Sequence, residues 1–308
     1  MEYLFLFVGF ALLLFSGKYL VAGSVSLANY FKLSKLVIGV TVVSFGTSAP
    51  EMFVSAFANL KGHPEVAMGN VIGSNIANIA LVLALTAIIF PISVKKDSVK
   101  IDAPFMIIVS GLLYFTMLNR QISFVEGFAF LFVLVSYIVF IIVKSRRKGL
   151  DSEEEVDAHH PLWKAILLVL ISTAGLAFGS NLLVENASLI ATNFGVSERV
   201  IAITVIAFGT SLPELATSAV AAFKKEMDIS IGNIIGSNIF NILAVLGVSA
   251  LLNPIDVAVK FIEVDIIWML AISALLFLFI LPFKGGKLTR IKGAMLFLVY
   301  GTYLYYLL

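Results

Sequence analysis

The segment "VIGVTVVSFGTSAPE" (37–51) returns 163 residues later as "VIAITVIAFGTSLPE" (200–214). The same shift, without a gap, lays "GNVIGSNIANI" (69–79) on "GNIIGSNIFNI" (232–242), Phe31 on Phe194 and Ser34 on Ser197. A chain made of two such copies is confined to folds with an internal twofold relation. Which relation depends on how often the chain crosses between equivalent positions.

Both copies sit inside long apolar runs. A helix needs about 20 apolar residues to cross a bilayer. Breaking the chain at polar or turn-forming clusters gives ten candidate spans, near 3–28, 36–59, 66–90, 103–118, 123–144, 163–190, 199–222, 229–252, 262–281 and 291–308. Of the 308 residues 60% are hydrophobic and 13% charged, whereas soluble domains carry about a quarter charged residues. One or two water-soluble cores could not hide that much apolar surface. The runs are continuous rather than alternating, which points to helices and not to a membrane β-barrel. The opening "MEYLFLFVGF" lacks the positive n-region and small-residue cleavage site of a signal peptide, so it is expected to be a retained first helix.

Five spans separate equivalent positions, an odd number, so the second copy is inverted relative to the first. The expected fold is an all-α membrane protein of ten transmembrane helices, arranged as two inverted-topology five-helix repeats with broken helices at the midplane. The repeats are placed at 1–144 and 163–308, with motif regions at 37–83 and 200–246. The hydrophilic 145–162 segment is read as a cytoplasmic hinge loop. With both termini outside, the inward connections carry sixteen Lys and Arg and the outward ones four, Lys61, Arg120, Arg199 and Lys260. That is a positive-inside distribution, expected of a cell or inner membrane protein embedded in a lipid bilayer.

Each "FGTS-x-PE" puts a helix breaker and a carboxylate where a membrane helix should be most regular. Pro50 has no amide hydrogen and its ring collides with the carbonyl of Gly46, so the helix is expected to loosen at 44 to 47. Pro213 and Gly209 repeat the arrangement. Irregular backbone at membrane depth survives only when buried in protein or lining a wet cavity. A charge there costs about 2.5–3.5 kcal/mol or more, and intramembrane carboxylates are functional by default. A packing kink explains one proline but not Glu51 and Glu214 at equivalent positions. In the second motif Asn70, Ser74 and Asn78 share one helix face, four residues apart, and Asn233, Ser237 and Asn241 repeat it. Gly69, Gly73 and Ala77 form a smooth stripe suited to close helix contact. The alternative here is a glycine seam with asparagines as interhelical glue. Carboxylates, hydroxyls and carbonyls are hard donors that suit Ca²⁺ and Na⁺, with Mg²⁺ a weaker candidate. Cysteine is absent, which removes disulfides and thiolate metal sites. No polybasic tract points to nucleic acid, and no protein partner is indicated.

Together the motifs resemble the α-repeats of the Ca²⁺/cation antiporter superfamily, in its sodium/calcium exchanger branch, over essentially the whole chain. The resemblance implies no cofactor, only transported Ca²⁺ and Na⁺ in the pocket. It implies central carboxylates at Glu51 and Glu214, and Ca²⁺-binding oxygens at Thr47 and Thr210. Ser48, Ser74, Ser211 and Ser237 would serve flanking Na⁺ sites, Ser44 and Ala207 would give backbone carbonyls, and Asn78 and Asn241 would form a midplane pair. The first and sixth spans match the family's mobile gating helices. Some members carry aspartate where this chain has Asn241. The proton-coupled branch usually has a "GN"-type motif before its glutamate, which favours sodium here.

The implied function is Na⁺/Ca²⁺ exchange by alternating access. The alternative is a Ca²⁺/H⁺ antiporter using the same glutamates. A cation channel and an intramembrane hydrolase rank lower, the latter because the serines have no positioned base and the three histidines, His63, His159 and His160, lie in polar stretches. Lys18 and Glu185 are expected to snorkel or pair between helices rather than handle ions. The acidic run 151–157 lacks the spacing and glycine of an EF-hand and is read as a solvated loop.

Overall fold

The computed structural model describes residues 1–148, 160–196, 207–281 and 286–307. The acidic run 151–157, His159 and most of the expected hinge lie outside them. Among the described residues ten helices make up the fold: α1 (Glu2–Phe31), α2 (Lys35–Leu60), α3 (Pro64–Ile89), α4 (Ser98–Met117), α5 (Phe124–Lys148), α6 (Leu162–Asn193), α7 (Leu212–Phe223, preceded by a helical turn at Ala207–Gly209), α8 (Met227–Leu252), α9 (Phe261–Ile280) and α10 (Arg290–Leu307). Among the described residues, eight of these are long and apolar enough to cross a membrane. The described part of α7 is short, and α10 opens on Arg290 and Lys292 and is rich in tyrosine. Phe7, Phe10, Phe132, Leu170 and Leu298 are exposed on the outside of the bundle, as a lipid-facing surface requires.

The inverted relation is visible in two small antiparallel pairings. β1 (Ile92–Ser93) pairs with β4 (Lys287–Leu288), and β2 (Gln121–Ile122) pairs with β3 (Ile255–Asp256). The 163-residue shift carries β1 onto β3, and β2 falls onto β4 after three further residues. Each repeat therefore lends its first strand to the second strand of the other. The two halves are interlocked.

Among the described residues, five segments are wound as the wider π-helix: Gly39–Val43, Asn78–Leu83, Ser98–Asp102, Asn241–Leu246 and Phe261–Asp265. Such turns are rare and favour functional sites. The shift superposes 78–83 on 241–246 and 98–102 on 261–265. The turn at 98–102 also gives α4 the length that its apolar run, starting at 103, lacked.

The first helix break is displaced from its expected place at 44 to 47. Residues Ser44–Leu60 are regular α-helix through Pro50, and the irregular turn lies one step earlier, at 39–43. The physical reason is local. Ser44 Oγ donates to the Gly39 carbonyl at 2.8 Å, so a hydroxyl satisfies a carbonyl that the wide turn frees. In the second repeat the break does fall at the motif: helix stops at Gly209, Thr210 and Ser211 form a turn, and α7 restarts with Pro213 in its first turn. There proline is tolerated because its missing amide would be unpaired anyway.

The core is built on α3 and α8, the most buried helices. In the second repeat the glycine stripe makes close contact with α2. A Cβ on Gly232 would lie 3.0 Å from the Leu36 carbonyl, and one on Gly236 would lie 2.6 Å from the Val40 carbonyl. Gly236→Val should therefore push α2 and α8 apart and lower stability by about 1–3 kcal/mol, as overpacking does. Thermal denaturation of the purified variant beside the wild type checks this; equal melting temperatures would refute it.

α1 and α6 pack along their length through small residues, Gly9 against the Gly179 carbonyl and Gly23 against the Ala165 carbonyl. Lys18 and Glu185 are exposed and form no ion pair with each other.

Candidate ion-binding site

Four helices meet at the centre, and each repeat contributes one motif of each kind. From α2 come Thr47, Ser48 and Glu51, and from α3 Ser74 and Asn78. The turn before α7 and its first residues supply Thr210, Ser211 and Glu214, and α8 supplies Ser237 and Asn241. All of these are buried except Thr210, which is half-buried.

The contacts cross between repeats. Ser48 Oγ of the first repeat donates to Glu214 Oε1 of the second at 3.4 Å, and Ser237 Oγ donates to the same oxygen at 3.5 Å. Thr47 Oγ1 lies 3.1 Å from Asn233 Oδ1 and 3.3 Å from Ser237 Oγ. Ser74 Oγ and Thr210 Oγ1 are 3.5 Å apart. Glu51 and Glu214 are close enough to interact electrostatically, and are 1% and 0% exposed. Both oxygens of Glu51 and Oε2 of Glu214 have no hydrogen-bond partner among the described residues; nor do Ser211 Oγ, Asn78 Oδ1 and Asn241 Oδ1. Buried acceptors are ordinarily paired. A cluster of unpaired oxygens carrying two carboxylates is suited to a cation.

Not every expected donor is free. The Ser44 carbonyl accepts from Thr47 Oγ1 at 3.3 Å, and the Ser44 hydroxyl donates to the carbonyls of Gly39 and Asn233. Ala207 lies in the helical turn before the second break. Asn70 and Asn233, read as members of the polar face, tie helices within their own repeat through their NH₂ groups, while Asn233 Oδ1 also accepts from Thr47 of the other repeat. Asn70 Nδ2 donates to Ser55 Oγ at 2.9 Å, and Asn233 Nδ2 to Ser218 Oγ at 3.0 Å. For these two the interhelical-glue account holds. Among the described residues no group of three or more His, Cys, Asp or Glu gathers anywhere.

Sequence reasoning passed over three symmetric features. Asn75 and Asn238 interlock at the core. Ser55 and Ser218 hold Asn70 and Asn233. Asp102, 4% exposed, accepts from the Tyr137 hydroxyl at 2.8 Å, and Asp265, 5% exposed, lies beside Tyr303. The 163-residue shift relates each of these aspartates, serines and asparagines to its counterpart, a signal that was present in the sequence.

An all-helical membrane protein with a hard-oxygen pocket between inverted halves belongs to the class of secondary transporters. The profile of the family described as "Sodium/calcium exchanger protein" matches residues 1–143 and 164–308. The chain belongs to this family and is a cation antiporter rather than an enzyme. It is 38% identical to the putative antiporter CaxA of Alkalimonas amylolytica over 312 residues, covering 99% of this chain and 98% of that protein. It is 40% identical to the inner membrane protein YrbG of Escherichia coli, over 81% of this chain and 79% of that one. The solved sodium-calcium exchanger NCX_Mj, in the form soaked with zero Na⁺ and Ca²⁺, superposes with a TM-score of 0.84 at 32% identity, covering 100% of this chain and 99% of the other.

Proposed function

We propose that this chain exchanges Na⁺ for Ca²⁺ across a cell or inner membrane by alternating access. The observation that carries this is the pair of buried carboxylates, three of whose four oxygens lack a partner among the described residues, beside hydroxyls and amide oxygens from both repeats. Two negative charges balance one Ca²⁺, or two Na⁺ with further sodium held by neutral oxygens. Glu51 and Glu214 are the central ligands, Thr47 and Thr210 flank Ca²⁺, and Ser48, Ser74, Ser211 and Ser237 complete sodium sites. Asn78 and Asn241 form the midplane pair, and the main chain at Ser44 and Ala207 lines the ends. The relatives support the reading: MaX1 of Methanosarcina acetivorans, named a sodium/calcium exchanger, is 29% identical over 98% of this chain and 97% of its own length.

The test is ⁴⁵Ca²⁺ uptake into proteoliposomes under an outward Na⁺ gradient or, separately, a pH gradient. Uptake driven by sodium alone is expected. Uptake driven only by the pH gradient would make the chain a Ca²⁺/H⁺ antiporter on the same glutamates.

The sixteen-to-four distribution of loop charges sets the orientation of this reading: both termini outside, the 145–162 loop cytoplasmic. A reporter fused after Leu308 should be accessible from outside, and one inserted near residue 150 only from the cytoplasm. Both reporters on one side would rule out ten inverted spans.

A further inference from the structure

At the centre of the molecule four asparagines join the two repeats. Asn75 Nδ2 donates to the main-chain carbonyl of Asn238 at 3.3 Å, and Asn238 Nδ2 donates to that of Asn75 at 3.3 Å. Asn241 Nδ2 donates to Asn75 Oδ1 at 3.1 Å, and Asn78 Nδ2 donates to Asn238 Oδ1 at 3.2 Å. The remaining donors of the inner pair face thioethers, Asn75 toward Met269 Sδ at 3.5 Å and Asn238 toward Met106 Sδ at 3.6 Å. All four side chains are buried, at 0% or 1% exposure.

The polarity of this knot follows from elementary hydrogen-bond chemistry. A carboxamide has one accepting end and one donating end, and which way it points is decided by its network. A main-chain carbonyl only accepts, so Asn75 must turn its NH₂ toward the Asn238 carbonyl. Its Oδ1 then faces the other way, and it too only accepts. Asn241 must therefore offer its NH₂ to Asn75, which sends Asn241 Oδ1 to the opposite side. The mirrored chain of reasoning orients Asn78 through Asn238. Flipping any member would set oxygen against oxygen. The oxygens left over, Asn78 Oδ1 and Asn241 Oδ1, are two of the buried acceptors that have no described partner.

Those oxygens lie one helical turn beyond Ser74 and Ser237 on the same face, and both serines touch site groups of the other repeat. Asn75 and Asn238, one residue further along from the serines, sit about 100° round the helix and face the opposing repeat instead. Asn78 and Asn241 also open the two π-turns at 78–83 and 241–246.

We propose that Asn75 and Asn238 are positioning residues of the transport site, which fix the amides of Asn241 and Asn78 with their oxygens, and not their NH₂ groups, toward the transported cation. An NH₂ in that place would repel the ion. The proposal rests on the reading above that positions 78 and 241 face the transported ion, and it adds the residues that make them cation-selective.

The test is a double-mutant cycle in proteoliposomes, reading KM for ⁴⁵Ca²⁺ and, separately, for ²²Na⁺. Asn75→Ala should raise KM about tenfold, the scale on which partners that orient metal ligands act, with kcat little changed. In the Asn241→Ala background the same substitution should cost almost nothing, because its only route to the ion has gone. The mirrored cycle, Asn238→Ala with Asn78→Ala, should behave alike. Independent residues would instead give additive losses. Additivity in both cycles, or an unchanged KM in both single variants, would overturn the proposal. So would the loss of folded protein in both single variants, which would make the knot a helix adhesive. A wild-type chain that moves neither ion would sink the functional reading itself, and that is seen before any variant is made. The cycle holds whichever ion drives exchange.

Discussion

Replacing either central carboxylate by its isosteric amide, Glu51→Gln or Glu214→Gln, should abolish Ca²⁺ transport while leaving the protein inserted and at least as stable as the wild type. The two halves of this expectation have one cause. Both groups are buried, at 1% and 0% exposure, and interact unfavourably with each other. A charge at membrane depth costs about 2.5–3.5 kcal/mol or more, so neutralising one removes a penalty from the ion-free protein. Glutamine keeps the volume, and its carbonyl still accepts from Ser48 and Ser237, the hydroxyls that reach Glu214 Oε1. Removing one partner of a buried ion pair costs about 3–5 kcal/mol. At about 1.4 kcal/mol per factor of ten, that is roughly two to three powers of ten in affinity. The checks are ⁴⁵Ca²⁺ flux and a melting curve in ion-free buffer, side by side. Near-normal flux in either variant would remove the glutamates from the centre of the mechanism. Lost flux with a lowered melting temperature would make them structural.

Much of this architecture was legible because the repeat is ungapped over both motifs. A constant shift through residues 31 to 79 forces the two halves to share a fold, and the odd number of spans between them inverts it. What the sequence left open was the choice among neighbours that share a pattern. The clash of Pro50 with Gly46 says that strain exists. It does not say where a helix will yield, and here the wide turn settled at 39–43, where Ser44 Oγ could take up the freed Gly39 carbonyl. Asn75 and Asn238 were hidden by a similar limit. A polar face read at every fourth residue from Asn70 passes over its neighbour, and only the shift itself marks position 75 as paired with 238. Asp102 escaped because its run was started at Ala103, one residue too late to see the carboxylate that Tyr137 caps.

The driving ion should reveal itself in the hydroxyls. A proton needs one carboxylate to occupy. A sodium ion must replace its water with several oxygens at once, so groups beyond Glu51 and Glu214 have to matter. The structure brings hydroxyls against Glu214 and around the site but uses them unequally. Thr47 Oγ1 is engaged by Asn233, Ser237 and the Ser44 carbonyl, while among the described residues Ser211 Oγ has no partner and Ser48 Oγ reaches only Glu214, at 3.4 Å. The combined variant Ser48→Ala with Ser211→Ala should therefore weaken sodium dependence more than Ca²⁺ binding. A hydrogen bond to a charged group is worth about 1.5–3 kcal/mol, and if an ion–hydroxyl contact is of similar size the half-saturating Na⁺ should rise about tenfold or more. Thr47→Ala and Thr210→Ala should do less, since Thr47 already spends its hydroxyl on protein groups and both keep their main-chain carbonyls. With pH equal on both sides, reversing the sodium gradient should reverse the direction of ⁴⁵Ca²⁺ movement in the wild type. If Ca²⁺ instead follows a pH gradient in sodium-free buffer, and the double serine variant moves it as fast as the parent, then the two carboxylates exchange Ca²⁺ for protons and the hydroxyls serve only to hold them.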